Sequence, residues 1–546
     1  MTNIEIELKT LIKEAIEKLF PEIAEKAGAW ILFDVPKEKR FGDLSANIAM
    51  RLSRELKKPP FDIAGSIVKH IRKTGSVRDI KVEKPGFINF YISNSGALDA
   101  LRQIIGDGDS FGGSSAGKGK KAQIEFVSAN PTGPLTVAHG RQAAIGDSLA
   151  RIMKFCGYDV VKEYYINDEG VQIQALGNSV KARLMETLGE KSEFPENGYK
   201  GSYIYDIANR IKQANPPEKI KKMPDEFYMQ EASGAIMDTI KKDLEDFGVD
   251  FDVWYSQKSL AKSGKIEKAL DILKGKGFVY EKDGAVWFRS TDFGDDKDRV
   301  IIKNDGSYTY VTPDIAYHKE KFETGYDRII NIWGPDHHGY IPRIKAACQA
   351  LGYDKEKLSI LIAQLVTLYR DGKPVRMSTR EGEFVTLREI MDDVGRDAAR
   401  FFFIMRNTDS HLDFDLELAK AHTMDNPVYY IQYAHARISS IMEFARNEKP
   451  KLDNLGLLDK EHEMGLIKAL MLYPNTIQAA ANNLEPHILL AYLQDLAGLF
   501  HSYYNAYRVV TDDKPLTEAR IALLYTIKKV LASGLGLLGV NAPEEM

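Results

Sequence analysis

The segment that decides the fold reads Gln123-Ile-Glu-Phe-Val-Ser-Ala-Asn-Pro-Thr-Gly-Pro-Leu-Thr-Val-Ala-His-Gly-Arg141. Its apolar run from Ile124 to Val127 predicts a strand, and a Pro/Gly turn then leads into a predicted helix from Arg141 to Phe155. A second predicted strand, Asp159 to Ile166, completes a β-α-β unit. The turn between strand and helix in such a unit presents backbone N–H groups and a positive helix end. The sequence therefore predicts a phosphate-binding site in an α/β domain.

The composition is typical of a soluble protein with several domains. A chain of 546 residues exceeds the ~250–300 residues at which single cores stop growing. A net charge of -4 neither indicates nor excludes a nucleic-acid partner, because basic and acidic surfaces can coexist. Two cysteines far apart cannot build a disulfide framework, and no apolar run is long enough to span a bilayer. We expect a cytoplasmic protein that makes no use of a membrane.

Changes in pattern along the chain predict three domains and a linker. A charged, helical stretch at about 179–290 looks like an insertion, and its end, Phe278 to Phe288 around Lys282-Asp283-Gly284, predicts a hairpin. Beyond Asp392 nearly every segment has a helical pattern. The predicted division is an α+β domain at 1–105, a Gly/Ser/Lys linker at 106–121, an α/β domain at 122–391 that contains the insertion, and a helical region at 392–546.

Three later segments follow the turn and carry further polar groups. They are Tyr310-Val-Thr-Pro-Asp314, Trp333-Gly-Pro-Asp-His-His-Gly-Tyr-Ile-Pro-Arg343 and Arg376-Met-Ser-Thr-Arg380. In this order, and over nearly the whole chain, the four segments resemble the class I arginyl-tRNA synthetases. The resemblance implies an α/β, Rossmann-like class I synthetase catalytic domain, with an N-terminal α+β tRNA-binding domain and a C-terminal all-α anticodon-binding bundle.

Two pairs of residues are predicted to bind arginine. Glu125 and Asn130 match the acid and amide that hold the α-amino group in this family, and both side chains offer acceptors to an ammonium. Tyr310 and Asp314 match the positions that recognise the arginine side chain. A carboxylate is the best partner for the planar fork of a guanidinium, and an aromatic face can cover it. Taken alone, either pair would be typical of a strand end or a turn.

The nucleotide turn departs from the family pattern. Where the family has His-x-Gly-His, this chain has Thr136, Val137, Ala138 and His139, so one imidazole remains to donate to phosphate oxygens. The segment from Arg376 resembles the second class I signature, with two arginines in place of lysines. The predicted catalytic residues are His139, Thr136, Arg376, Ser378 and Arg380. The predicted ATP-binding residues are Pro134, Thr136, His139, Gly140, Gly334, Asp336, His337, Met377, Ser378 and Thr379.

Both ends of the chain resemble the RNA-binding modules of the family. Aromatic side chains can stack on unpaired bases, although each tyrosine of the C-terminal helices could equally pack inside the bundle. The predicted tRNA-binding residues are Asn47, Asn89, Tyr429, Tyr430, Tyr433 and Met546.

The resemblance implies an arginine–tRNA ligase. The enzyme would activate L-arginine with ATP and transfer it to the terminal adenosine of tRNA(Arg), and tRNA would have to bind before activation. Mg²⁺ would arrive with ATP, without a structural metal, and the protein is expected to be a monomer. The alternative is a catalytically weakened paralogue that binds tRNA or arginine, because Thr136 and Ala138 alter the nucleotide turn.

Overall fold

A computed structural model describes residues 3–28, 30–34, 36, 38–375, 385–446 and 450–546. The N-terminal domain packs helices on a four-stranded antiparallel sheet of order β1-β2-β4-β3. Its elements are α1 (Asn3–Leu19), α2 (Ala24–Gly28), β1 (Phe33–Asp34), β2 (Leu44–Ala46), α3 (Ile48–Leu56), α4 (Pro60–His70), β3 (Val77–Glu83), β4 (Phe87–Ile92) and α5 (Asn94–Asp107).

The catalytic region is built on a five-stranded parallel sheet. Its first elements are β5 (Lys121–Glu125), α6 (Val137–Phe155), β6 (Asp159–Ile166), α7 (Val171–Thr187), α8 (Ser202–Ala214), α9 (Pro217–Ile220), α10 (Asp225–Asp246), β7 (Val253–Ser256), α11 (Gln257–Lys262) and α12 (Lys265–Gly275). The following elements are β8 (Val279–Lys282), β9 (Ala285–Phe288), β10 (Arg299–Ile302), α13 (Val311–Glu323), β11 (Arg328–Trp333), α14 (Ile341–Leu351) and β12 (Leu358–Ile362).

The strand order of this sheet places its ligand site. The order β12-β11-β5-β6-β7 is that of a doubly wound sheet, in which the chain reverses direction between β5 and β11. Because ligands bind outside the carboxyl ends of the strands at this reversal, the ends of β5 and β11 should form the site. The predicted nucleotide turn directly follows β5, and β6 has the predicted bounds.

The stretch predicted as an insertion also supplies part of the central sheet. Val253–Ser256 pairs in parallel with β6, which the charged, helical pattern around it did not predict. The predicted hairpin is present as β8 and β9, with Asp283 and Gly284 at positive φ in its turn. Strand β10 pairs with β9 in a separate antiparallel sheet and does not join the parallel one.

The remaining catalytic elements link the sheet to the C-terminal helices. They are β13 (Val366–Arg370), β14 (Lys373–Pro374), α15 (Leu387–Val394), α16 (Arg396–Ile404), β15 (Leu412–Asp415) and α17 (Leu416–Lys420). Strand β15 pairs in parallel with β13, so the expectation that the chain is helical beyond Asp392 missed one strand. The bundle consists of α18 (Pro427–Phe444), α19 (Glu461–Met471), α20 (Tyr473–Asn483), α21 (His487–Ala506) and α22 (Lys514–Leu537).

The three regions are packed together through specific contacts. The segment predicted as a linker lies against the bundle, because a Cβ on Gly112 would come within 2.4 Å of the Tyr473 ring. The end of the chain packs on the catalytic region, where Arg400 donates to the Leu538 carbonyl at 3.1 Å and to Asp147 on α6 at 2.7 Å. The C-terminal residues are therefore part of the folded catalytic unit. No helix in the described ranges is long and apolar enough to cross a membrane.

Candidate active site

The turn after β5 has a backbone conformation that its surroundings must enforce. Val127 and Ser128 have φ of 69° and 40°, in the left-handed region that β-branched residues rarely adopt. Ser128 is held by three hydrogen bonds: its N–H to the Phe126 carbonyl, its hydroxyl to Glu125 Oε1, and the Tyr165 N–H to its Oγ. Strain of this kind persists where contacts over-determine the backbone, which is typical of functional sites.

His139 lies within the first turn of α6, because the helix begins one turn earlier than predicted. Thr136 precedes the helix, and its backbone N–H donates to His139 Nδ1 at 3.1 Å. With Nδ1 as acceptor, the proton sits on Nε2, which can donate to a ligand. Burial lowers the pKa of His139 to about 4, and the nearby Asp336 carboxylate opposes this only partly. His139 is therefore a neutral hydrogen-bond donor at physiological pH.

The nucleotide turn is tied by backbone hydrogen bonds to Val385 and Leu387. Leu387 donates to the Leu135 carbonyl at 2.8 Å, and Val137 donates to the Val385 carbonyl at 3.3 Å. These two backbone hydrogen bonds place residue 385 directly beside the turn. The predicted residues Arg376, Met377, Ser378, Thr379 and Arg380 lie outside the described residues.

Gly140 is closely packed against neighbouring helices, and its predicted ATP contact stays a prediction. The residue is buried in α6, and a Cβ there would come within 2.8 Å of Leu387 Cδ1 and 3.0 Å of the Phe403 ring. A glycine at this point allows α15 and α16 to approach the helix that carries His139.

A row of polar side chains crosses three neighbouring strands, level with the carboxyl end of β5. Glu125 of β5 pairs in register with Glu163 of β6 on one side and with Asn331 of β11 on the other. All three residues are at most 6% exposed. Polar groups so deeply buried need partners, and helix α13, which covers the row, supplies them.

The main partner is Lys321, which the sequence analysis did not identify. Its ammonium donates to Glu125 Oε2 at 2.5 Å and to Asn331 Oδ1 at 2.9 Å, and Lys321 is 2% exposed. Burial alone would raise the pKa of Glu125, but the Lys321 ammonium lowers it below its usual value. Burial raises the pKa of Glu163, against the opposing effects of the Lys321 charge and of the hydrogen bond from the Tyr317 hydroxyl.

Asp314 lies at the amino end of α13, one turn before this network. The Tyr340 hydroxyl donates to its Oδ2 at 2.8 Å. Burial raises the pKa of Asp314 to about 7, against the opposing effect of that hydrogen bond. Tyr310, predicted to cover the same ligand group, directly precedes α13 and is 76% exposed.

The other predicted residues follow the strands β5 and β11. Asn130 follows the strained turn, and its Nδ2 donates to Gln172, which leaves its carbonyl oxygen as an acceptor. Gly334, Asp336 and His337 form the short helical turn after β11, and the side chains of Asp336 and His337 are 79% and 55% exposed. Pro134 is half-buried beside the turn.

The predicted RNA-binding residues differ in how they are placed. Asn89 is 2% exposed on β4, and its Oδ1 accepts from the Ser45 hydroxyl at 2.7 Å, so it supports the domain core and not a surface. Asn47 precedes α3, and Met546 is 52% exposed at the end of the chain. Tyr429 and Tyr433 stack in parallel on α18, whereas Tyr430 packs on His501 at 4.5 Å between ring centroids.

The spacing of polar residues in the sequence could have indicated the site residues that the sequence analysis missed. Asp314, Tyr317, His318 and Lys321 occupy positions i, i+3, i+4 and i+7, which is one face of a helix. Asn331 interrupts the otherwise apolar run of β11, and Glu163 lies in the middle of β6 beside Lys162.

Comparisons with known proteins agree with this geometry. Three family models match the chain: arginyl tRNA synthetase N terminal domain at 7–92, tRNA synthetases class I (R), catalytic domain, at 100–440, and DALR anticodon binding domain at 431–546. The arginine–tRNA ligase of Citrifermentans bemidjiense is 46% identical, with 99% of this chain and 100% of that protein covered. The one of Geobacillus thermodenitrificans is 48% identical, covering 99% and 98%.

A solved structure shows the same fold. Thermus thermophilus arginyl-tRNA synthetase aligns with a TM-score of 0.78 at 22% identity, covering 99% of this chain and 100% of that one. The parallel sheet with its nucleotide turn and the helical C-terminal domain are those of a class I aminoacyl-tRNA synthetase. With matches over nearly its full length, the chain belongs to the arginyl-tRNA synthetase family.

The packing role of Gly140 can be tested with a matched pair of helical glycines. Gly140→Ala should destabilise the protein by about 1–3 kcal/mol, because the new methyl overpacks the contact with Leu387 and Phe403. Gly234→Ala, on an open face of α10, should stabilise it by roughly 0.5–1 kcal/mol. Thermal unfolding without ligands measures both. If the Gly140→Ala protein is as stable as wild type and only its KM for ATP is higher, the result would contradict the packing role and support the predicted contact with ATP.

Proposed function

We propose how the described side chains carry out arginine–tRNA ligation, the activity of this family. The observation that carries the proposal is the set of three carboxylates, the buried Glu125 and Glu163 and the half-buried Asp314, near the ammonium of Lys321. This excess of negative charge suits a ligand with two cationic groups. Arginine has a guanidinium at one end and an α-ammonium at the other.

In this arrangement the guanidinium binds Asp314, and Tyr310 closes over it from the mouth of the site. The α-ammonium binds the acceptors of Glu125 and Asn130. Two of the roughly four acceptor positions on the Glu125 carboxylate are used by Lys321 and Ser128, which leaves room for the substrate. The substrate carboxylate then points toward the turn before α6.

ATP binds at that turn and along the segment from Gly334 to His337. The arginine carboxylate attacks the α-phosphate of ATP, which gives arginyl-adenylate and releases pyrophosphate. His139 Nε2–H donates to phosphate oxygens as their charge grows, and Thr136 adds a hydroxyl beside it. Arg376 and Arg380 bring positive charge to the leaving pyrophosphate, and Ser378 and Thr379 are proposed to contact ATP beside them. Mg²⁺ accompanies ATP as part of the substrate.

The terminal adenosine of tRNA(Arg) then takes the arginyl group on a ribose hydroxyl. The N-terminal domain contacts the elbow of the tRNA, and the C-terminal helices contact its anticodon. Tyr429 and Tyr433 support the second contact, because their parallel rings offer a stacking surface next to Arg437. A single chain carries all of these surfaces, so we propose that the protein acts as a monomer. We also propose that it acts in the cytoplasm.

The role of Asp314 predicts how arginine use depends on pH. A guanidinium binds the ionised carboxylate, and the pKa of Asp314 in the free protein is about 7. Below that pH the proton must leave before arginine binds, so kcat/KM for arginine should fall about tenfold per pH unit. His139, with a pKa of about 4, stays neutral throughout this range and adds no such dependence. Initial rates of tRNA-dependent ATP–pyrophosphate exchange from pH 6 to pH 8 measure the effect.

Asp314→Asn is the control for that profile. It should raise the KM for arginine by at least ~10²-fold, since a lost partner for a buried charge costs roughly 3–5 kcal/mol. It should also remove the pH dependence while leaving the KM for ATP unchanged. Equal losses for arginine and ATP, or an unchanged profile, would show that Asp314 does not bind the guanidinium.

The stacked tyrosines on α18 predict that removing one of the two rings weakens tRNA binding. Tyr429→Ala should weaken tRNA binding about tenfold or more, because a stacked base contributes ~1–3 kcal/mol. Tyr429→Phe keeps the ring and should bind as wild type does. Titration at one fixed salt concentration separates stacking from the phosphate contribution. Normal affinity of Tyr429→Ala together with a lower melting temperature would assign the ring to bundle packing.

A further inference from the structure

Helix α13 is bonded to each strand of the polar row. The Tyr317 hydroxyl donates to Glu163 on β6, and Lys321 donates to Glu125 on β5. On β11, Asn331 is bonded to both Lys321 and His318, the latter at 2.9 Å. The helix that carries Asp314 is therefore connected to the three strands by side chains that follow one of its faces.

The hydrogen-bond directions in this network have a single consistent assignment. Lys321 can only donate, so Asn331 accepts through Oδ1 and donates through Nδ2 to His318 Nε2. The proton of His318 then sits on Nδ1, which donates to the Asp314 carbonyl at 2.8 Å. Burial lowers the pKa of His318 to about 4, so the ring remains neutral, as this assignment requires.

The ammonium of Lys321 is fully engaged inside the protein. It makes the two hydrogen bonds to Glu125 and Asn331, and it lies 4.3 Å from the centroid of the Tyr317 ring. At 2% exposure it does not face the space where a substrate would bind. Its effect on the reaction must pass through the groups that it holds.

We propose that Lys321 is a positioning residue that sets the distance between the two ends of the arginine pocket. This inference rests on the proposed function, in which Glu125 binds the α-ammonium and Asp314 binds the guanidinium. Glu125 belongs to the sheet and Asp314 to α13, so the connection from Lys321 through Asn331 and His318 fixes their separation. Lys321 thereby selects for the length of the amino acid.

Such rigidity matters because length is hard to recognise by contact alone. One methylene more or less in a pocket changes binding by only ~10–200-fold. Discrimination near the top of that range requires the binding groups at both ends of the pocket to be held in place. A shorter or longer guanidino acid then leaves one of these binding groups unpaired. A loosened α13 could move to meet the wrong length.

The test compares Lys321→Met with Lys319→Met. Both lysines lie on α13, but Lys319 pairs with Glu323 at 2.7 Å, outside the network. The rate of tRNA-dependent ATP–pyrophosphate exchange is measured with arginine, with the guanidino acid that is one methylene shorter, and with the one that is one methylene longer. Lys321→Met should raise the KM for arginine ~10²-fold, as expected for a displaced substrate group. The preference for arginine over both homologues should fall ~10-fold, with an unchanged KM for ATP. Lys319→Met should match wild type.

Three outcomes would overturn the proposal. The first is a Lys321→Met protein with an unchanged preference among the three amino acids. The second is an equal increase in its KM for arginine and for ATP. The third is identical behaviour of Lys321→Met and Lys319→Met. If Lys321→Met does not fold, Asn331→Leu breaks the same connection at its centre, and an unchanged preference there overturns the proposal equally. A wild-type protein that fails to exchange with arginine would count against the proposed function instead.

Discussion

The ion pair between Lys321 and Glu125 is the interaction on which the site depends. A carboxylate buried at the carboxyl end of a central strand would lose its charge unless a cation lay beside it. Lys321 keeps Glu125 ionised and holds Asn331 as well, so the end of β5 and the end of β11 are fixed relative to α13. The reversal of strand order between β5 and β11 makes this the place where a ligand must bind.

The turn after β5 carries fewer imidazole groups than the family pattern has. His139 is neutral and oriented by the Thr136 backbone, so its Nε2–H offers a directed hydrogen bond without a positive charge. The strained backbone at Val127 and Ser128 and the bonds from Val137 and Leu387 hold the turn in one conformation. Preorganised donors of this kind stabilise developing charge without reorganisation during the reaction.

The parts of the structure that local pattern determines were predictable from the sequence. Strand β6, the β8–β9 hairpin and the turn after β5 follow from apolar runs, a turn dipeptide and Pro/Gly residues. Strands β7 and β15 were missed because they are short and owe their pairing to distant partners. Lys321 was missed because a lysine on a charged helix is usually exposed, and only tertiary packing buries it. Asn89 was predicted to contact tRNA because an asparagine is usually exposed. Its burial depends on Ser45, which lies 44 residues away in the sequence.

The central claim is that this pocket selects arginine and activates it through His139. The most direct measurement is the formation of arginyl-tRNA from labelled arginine, ATP and total tRNA, with wild type and His139→Ala under one set of conditions. Wild type should charge tRNA only when ATP is present, and His139→Ala should be slower by ~10²–10³-fold, as expected for the loss of one stabilising donor. Absence of charging by wild type, or equal rates for the two proteins, would contradict the account.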